Sequence, residues 1–216
     1  MAVFCGRCGV SEIRIAMARK WMDEFLVHPH PELGREGDVC PFMSRSLSEG
    51  HAKLLPFDAR EGLTALLALI GELRSELERR GESAGNRRAY LTSVIVPHGL
   101  PDDEIVALIA RAHGELKGDF VERGLMLGEF WPRHDVAGLH NEAFRPLDSP
   151  LPLLAMRHMM LTDLAFLSGD HVDPEAQLTY LKHFRRLFGD TLTGSWPSRL
   201  ESAEEAARRA YDSASI

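Results

Sequence analysis

Cysteine is scarce in this 216-residue chain: Cys5, Cys8 and Cys40 are three, too few and too odd in number for a disulfide framework. Lysine is almost as rare, at four residues, so the basic charge rests mostly on arginine. That bias reads as codon usage, although arginine also suits a carboxylate-bearing ligand. No apolar run approaches the roughly 20 residues of a membrane span. Met1 to Gly6 lacks the basic and long apolar regions of a signal peptide. Excess positive charge is missing too: the net charge is −7 and the pI about 5.8, which argues against a protein that tracks nucleic-acid phosphates. There is no Gly-x-Gly-x-x-Gly, Walker loop, His-Glu-x-x-His or Gly-x-Ser-x-Gly. Nucleotide binding, zinc-helix proteolysis and α/β-hydrolase chemistry are thereby set aside. What remains, 44% hydrophobic and 26% charged, describes a soluble globular protein long enough for a substantial core. The expectation is a cytoplasmic protein with reduced thiols and a small-molecule partner, without nucleic acid or membrane; a homodimer is left open.

Periodicity predicts a helix from about Ser11 to Val27, with Ile13, Met17, Trp21 and Phe25 as its buried stripe. A short helical turn is expected near Ser44 to Ser48 and a strand over His51 to Phe57. Leu63, Leu66, Leu67, Ile70, Leu73 and Leu77 make one face of a helix over Glu61 to Arg80, which Gly81 should stop. Strands are expected at Ala89 to Val96, Leu125 to Trp131 and Leu151 to Met156. Between them, Pro101-Asp102-Asp103-Glu104 opens a helix with acid in its first turn. Helices near Pro174 to Phe188 and Ser198 to Tyr211 close the chain. The sum predicts one α+β domain: a mixed sheet of about four strands with helices packed on it, residues 1–10 as an extension, a core over about 11–190 and a C-terminal helix over about 198–213.

The chemistry-bearing residues concentrate between 28 and 42. His28-Pro29-His30-Pro31 is either a stiff helix exit with solvated histidines or a pair of ligands on extended chain. Pro41 removes the amide after Cys40 and stiffens the backbone there. Cys40 is then a small buried hydrophobe, a thiolate ligand or a nucleophile, the last disfavoured because no glycine-rich elbow surrounds it. Cys5-Gly6-Arg7-Cys8-Gly9 has the spacing of a zinc knuckle. Completing four zinc ligands would require Cys40 with His28 or His30, and a frayed N-terminal segment is the simpler reading. His98 follows a strand directly, and Arg157-His158 follows the last one beside Met159 and Met160. His158 could line an apolar cofactor pocket or be a satisfied core residue. His134 and His140 lie with Trp131, Phe144 and Arg145 around a loop, Pro132 to Ser149, long enough to be a lid or pocket wall.

His28 to Arg35 with Val39 to Phe42, Phe120 to Gly128, Phe144 to Leu147 and Pro152 to Met159 resemble a bacterial family of unknown function often encoded near natural-product biosynthesis genes. The likeness covers about residues 20 to 190 and leaves Cys5 and Cys8 outside. Cys40-Pro41-Phe42 also resembles, more distantly, a family containing haem-dependent amino-acid N-hydroxylases, including enzymes that oxidise the guanidine of arginine. That resemblance implies a haem site, with Cys40, His98 and His158 as positions at which to look for iron ligation. The resulting expectation is a haem-binding oxygenase acting on a small nitrogen-containing metabolite. Cys40 or His158 would bind the metal, Arg157 and Arg35 would hold propionates or a substrate carboxylate, and the long loop would exclude water. The alternatives are an accessory protein that binds a small ligand or a partner without catalysis, and a zinc protein using Cys5, Cys8 and Cys40.

Overall fold

The computed structural model describes residues 6–169 and 172–214, with side chains from Gly9 onward. The fold class is α+β, as expected. Helix α1 (Gly6–Trp21) runs into a π turn over Met22–Leu26, and α2 (Met43–Ser48) precedes strand β1 (Ala52–Asp58). Then follow α3 (Gly62–Ala84), β2 (Thr92–His98), α4 (Asp102–Glu122), β3 (Leu125–Phe130) and β4 (Leu153–His158). The chain closes with α5 (Leu164–Leu167), α6 (Pro174–Phe188) and α7 (Trp196–Ala214). Among the described residues no helix is long and apolar enough to cross a membrane.

The four strands form one mixed sheet in the order β1-β2-β4-β3, with β1 parallel to β2 and β2 antiparallel to β4. Pro56 is tolerated because β1 lies at the sheet edge. Central β2 is buried over six of its seven residues, which is why Val94 to Pro97 are apolar in succession rather than in alternation. Backbone packing divides the chain into two compact units: residues 1–115 with 127–158, and residues 116–126 with 159–216.

In the first unit, Val94, Val96 and Leu153 from one sheet face pack with Ala18, Met22, Leu26 and Met43. Helix α3 packs on β2 and β4, burying Leu66, Ile70, Leu73 and Leu77. In the second unit, Leu181 and Phe184 of α6 meet Leu200 and Ala207 of α7, together with Val121, Met126, Met159, Leu164 and Leu167. Asp173 caps α6 by accepting from the amides of Glu175 and Ala176, with Pro174 at the first helical position. Arg185 clamps Glu204 through two bonds of 2.6 and 2.7 Å.

Two expectations are corrected. Gly81 does not stop α3; it is buried inside the helix, which continues to Ala84 and ends at Gly85 with φ 54°. A glycine serves there for close approach rather than for a turn, as described below. The stripe assigned to α1 is also displaced: Ile13 and Met17 are exposed, while Ala18, Met22 and Leu26 are buried and Ile15 is half-buried. The buried row keeps the four-residue step but lies one residue further along, with Trp21 and Phe25 half-buried at its margin. Met22→Ala should therefore lose about 2–5 kcal/mol of unfolding free energy. Ile13→Gln should stay within about 0.5 kcal/mol. Denaturant midpoints check both, and equal losses would restore the original stripe.

Candidate functional site

The segment from His28 to Cys40 is a closed loop rather than an open tether. Val39 N–H donates to the His28 carbonyl (3.0 Å), Cys40 N–H donates to the Leu26 carbonyl (2.9 Å), and Pro29 bridges Asp38. Arg35 lies within it, its guanidinium donating to the carbonyls of Glu36 (2.9 Å), Asp38 (2.9 Å) and Val39 (3.1 Å). Arg35 therefore holds its own loop together, and its expected role toward a ligand carboxylate gains no support from this geometry. His30 Nδ1 accepts from the Glu32 amide (3.2 Å), and its ring stacks on Phe144 at 4.9 Å.

That stacking joins the two stretches the sequence kept apart. Asn141 Nδ2 donates to the Glu32 carbonyl (2.8 Å), and Gly34, with φ 75°, approaches His140 so closely that a Cβ there would lie 2.7 Å from its carbonyl oxygen. The long loop is thus fastened to the proline-rich loop. Around the junction Trp21, Phe25, His30, Phe130 and Phe144 form a connected aromatic cluster, with ring separations of 4.9–6.1 Å. Elsewhere on the long loop, His134 is buried and stacked on Trp131 at 4.2 Å. Its Nδ1 accepts weakly from the Val136 amide (3.4 Å), while its Nε2 is buried without a hydrogen-bond partner. Arg133, beside it, is among the described residues the one non-glycine at positive φ, 63°, and Asp148 steadies it by accepting from its amide (2.8 Å).

Cys40 is a free, half-buried thiol. It packs with Val39, Trp21 and Phe25 against the cluster that includes Leu153, and Ala155 joins that cluster from the same strand face. Arg157, two residues beyond Ala155, shares this face by the two-residue alternation of a strand. Its guanidinium lies over the Phe42 ring at 5.1 Å and donates to the His158 carbonyl (3.0 Å). Cys40, Phe42 and Arg157 thus belong to one side of the sheet.

His158 points to the other side. A ring nitrogen, Nε2, lies 3.1 Å from the Leu77 carbonyl of α3; since a carbonyl only accepts, Nε2 carries the proton and Nδ1 is the basic nitrogen. A Cβ at Gly81 would sit 2.4 Å from this imidazole, so the glycine exists to let the ring lie against the helix. Cys40 and His158 therefore do not share a metal. His98 is remote from Arg157 as well: Asp58 pairs with His98, whereas Thr92 pairs with Arg157, and the intervening six residues of β2 span about 20 Å. Beside His98, the Arg60 guanidinium holds the Asp58 carboxyl down to about 2. Among the described residues no three His, Cys, Asp or Glu side chains gather as a metal site. Cys5 of the proposed zinc knuckle lies outside the described residues.

The aromatic cluster, the closed thiol loop and the Arg157–Phe42 contact are set in an α+β fold and carry no catalytic signature that fixes a reaction. Residues 15–197 match the model of a domain of unknown function (DUF6875), and the chain belongs to that family. Neither a curated protein nor a solved structure matches it.

Burial pushes both His134 and His158 below the ordinary histidine value; for His158 the charge of Arg88 adds to this, opposed by its bond to Leu77. The native state consequently binds fewer protons than the unfolded chain just below the ordinary value. Stability is fully present above about pH 6.5 and falls as pH drops toward the depressed native values. Melting temperature should decline between about pH 7 and about pH 5, with a shallower slope in His158→Gln; an unchanged slope would remove His158 from the account. Gly81→Ala should cost about 1–2 kcal/mol despite alanine's better helix propensity. Most of that loss should disappear in the Gly81→Ala, His158→Ala double variant, a coupling that additive losses would disprove.

Proposed function

We propose that the protein is a haem-binding oxygenase of the N-oxygenase type, acting on a small nitrogen-containing metabolite, with Cys40 as the one protein ligand to iron. The observation that carries this reading is the placement of Cys40, Phe42 and Arg157 on one side of the sheet. The donor set fits the group in its chemistry: a free thiol on a stiff loop for iron, an arginine for a propionate, and apolar and aromatic side chains for the macrocycle. It does not fit a site that pairs Cys40 with His158 or His98, because both lie elsewhere.

In this reading the bound haem supplies the oxidising chemistry, and the chain supplies position and dryness. The Cys40 amide, tied to the Leu26 carbonyl, fixes where the thiol sits. Trp21, Phe25 and Phe144 form a wall that excludes water from that side, since Phe144 is buried and the other two are half-buried. Arg157 holds a carboxylate against the Phe42 ring.

A second reading, a non-enzymatic small-ligand or partner-binding protein, is favoured by the way Arg35, His30 and Asn141 are consumed in fastening the two loops together. A wall of that kind suits a preformed binding surface without a moving lid.

Titration of the purified full-length chain with haemin separates the two. The haem reading expects saturation at one haem per chain with a thiolate-type Soret band. The band should be lost or shifted in Cys40→Ala and retained in His158→Ala and His98→Ala. No saturable Soret change, or one insensitive to Cys40→Ala, overturns Cys40 ligation and leaves the non-enzymatic reading.

A further inference from the structure

The end of the first unit where β1 and β2 begin carries a polar cluster on the α3 side, apart from the thiol. His51, Arg80, Ser83 and Arg87, with Ala84 and Leu91, line a cleft of about 230 Å3. Its charge is one-sided. None of the lining residues is acidic. Two carboxylates flank the cleft and are already engaged: Glu49 accepts from Arg45 Nε at 2.7 Å and lies 3.2 Å from Nε2 of the lining His51, and Glu76 is bonded to Lys53.

Arg80 is left poorly matched. Its Nη1 is buried and has no hydrogen-bond partner, and the nearest carboxylate, Glu76, lies 3.9 Å away. Among the described residues no carboxylate pairs with Arg87. A buried guanidinium N–H without an acceptor is costly, and two arginine forks on one small cleft are the donor set that oxyanions satisfy. The cleft is smaller than the ~300–1,000 Å3 of drug-sized sites, so it suits the charged end of a small molecule.

We propose that this cleft is an oxyanion site, built by Arg80 and Arg87 to hold the phosphate or carboxylate group of a small metabolite. Arg80 supplies the inner donors, Arg87 closes the mouth, and Leu91 and Ala84 give the adjoining atoms an apolar surface. The site does not depend on haem, and its test is blind to haem.

Calorimetric titration of the full chain at constant ionic strength uses inorganic phosphate, pyrophosphate and succinate as probes, with chloride as control. Saturable one-to-one binding of phosphate or pyrophosphate identifies a phosphoryl group; binding confined to succinate identifies a carboxylate. In either case Arg87→Gln, an exposed substitution that leaves the core untouched, should weaken binding by about tenfold or more. Arg80→Met should abolish it, and Arg80→Lys should retain part of it. Arg111→Gln, on the outer face of α4, should change nothing. Failure of every probe to saturate overturns the site, since water alone would then satisfy Arg80. Binding unaffected by both Arg80→Met and Arg87→Gln overturns it equally.

Discussion

The pairing of β4 with β2 decides which residues of this protein can act together. Thr92 lies opposite Arg157 and Ile95 opposite Leu154, so the end of β4 is fixed to the start of β2 and cannot slide without turning every side chain over. Alternation then sends Arg157 and His158, neighbours in sequence, to opposite sides of the sheet. One joins the thiol loop and the ring of Phe42, and the other is committed to α3 through the Leu77 carbonyl. Any cofactor site in the first unit must respect that partition.

The thiol side owes its shape to backbone hydrogen bonds rather than to charge. Two amide bonds and the internal guanidinium of Arg35 close the loop from His28 to Cys40. His30 and Asn141 then attach the second loop to it. The result is two irregular segments ordered at one cost in conformational entropy, each supplying the contacts the other lacks. A surface ordered in this way is preformed, so a ligand that used it would not have to meet the cost of ordering it.

Most of the fold was legible in the sequence because its elements are strongly patterned. The apolar face of α3, the acidic first turn of α4, the β-branched run of β2 and the Asp173-Pro174 start of α6 each announce themselves locally. The register of α1 was not, since the Ile13, Met17, Trp21, Phe25 row and the Ala18, Met22, Leu26 row are neighbours with the same four-residue spacing. Gly81 was misread for a related reason: nothing local distinguishes a glycine that ends a helix from one that admits a distant imidazole. At the site, the sequence drew attention to Cys40, Arg157 and His158 but not to their separation, which only strand pairing reveals. Neither the buried His134 beside a strained Arg133 nor the arginine cleft carries a motif; both arise from tertiary neighbours.

The contact between Gly81 and His158 has a mechanical consequence. The imidazole is the spacer that sets how closely the last turns of α3 approach the sheet, and Arg80, Ser83 and Ala84 ride on those same turns. The gap between them and Leu91 is therefore gauged by a ring that does not line it. Evolution can retune that gap by altering a strand residue, a helix glycine or both, while every residue facing the gap stays as it is.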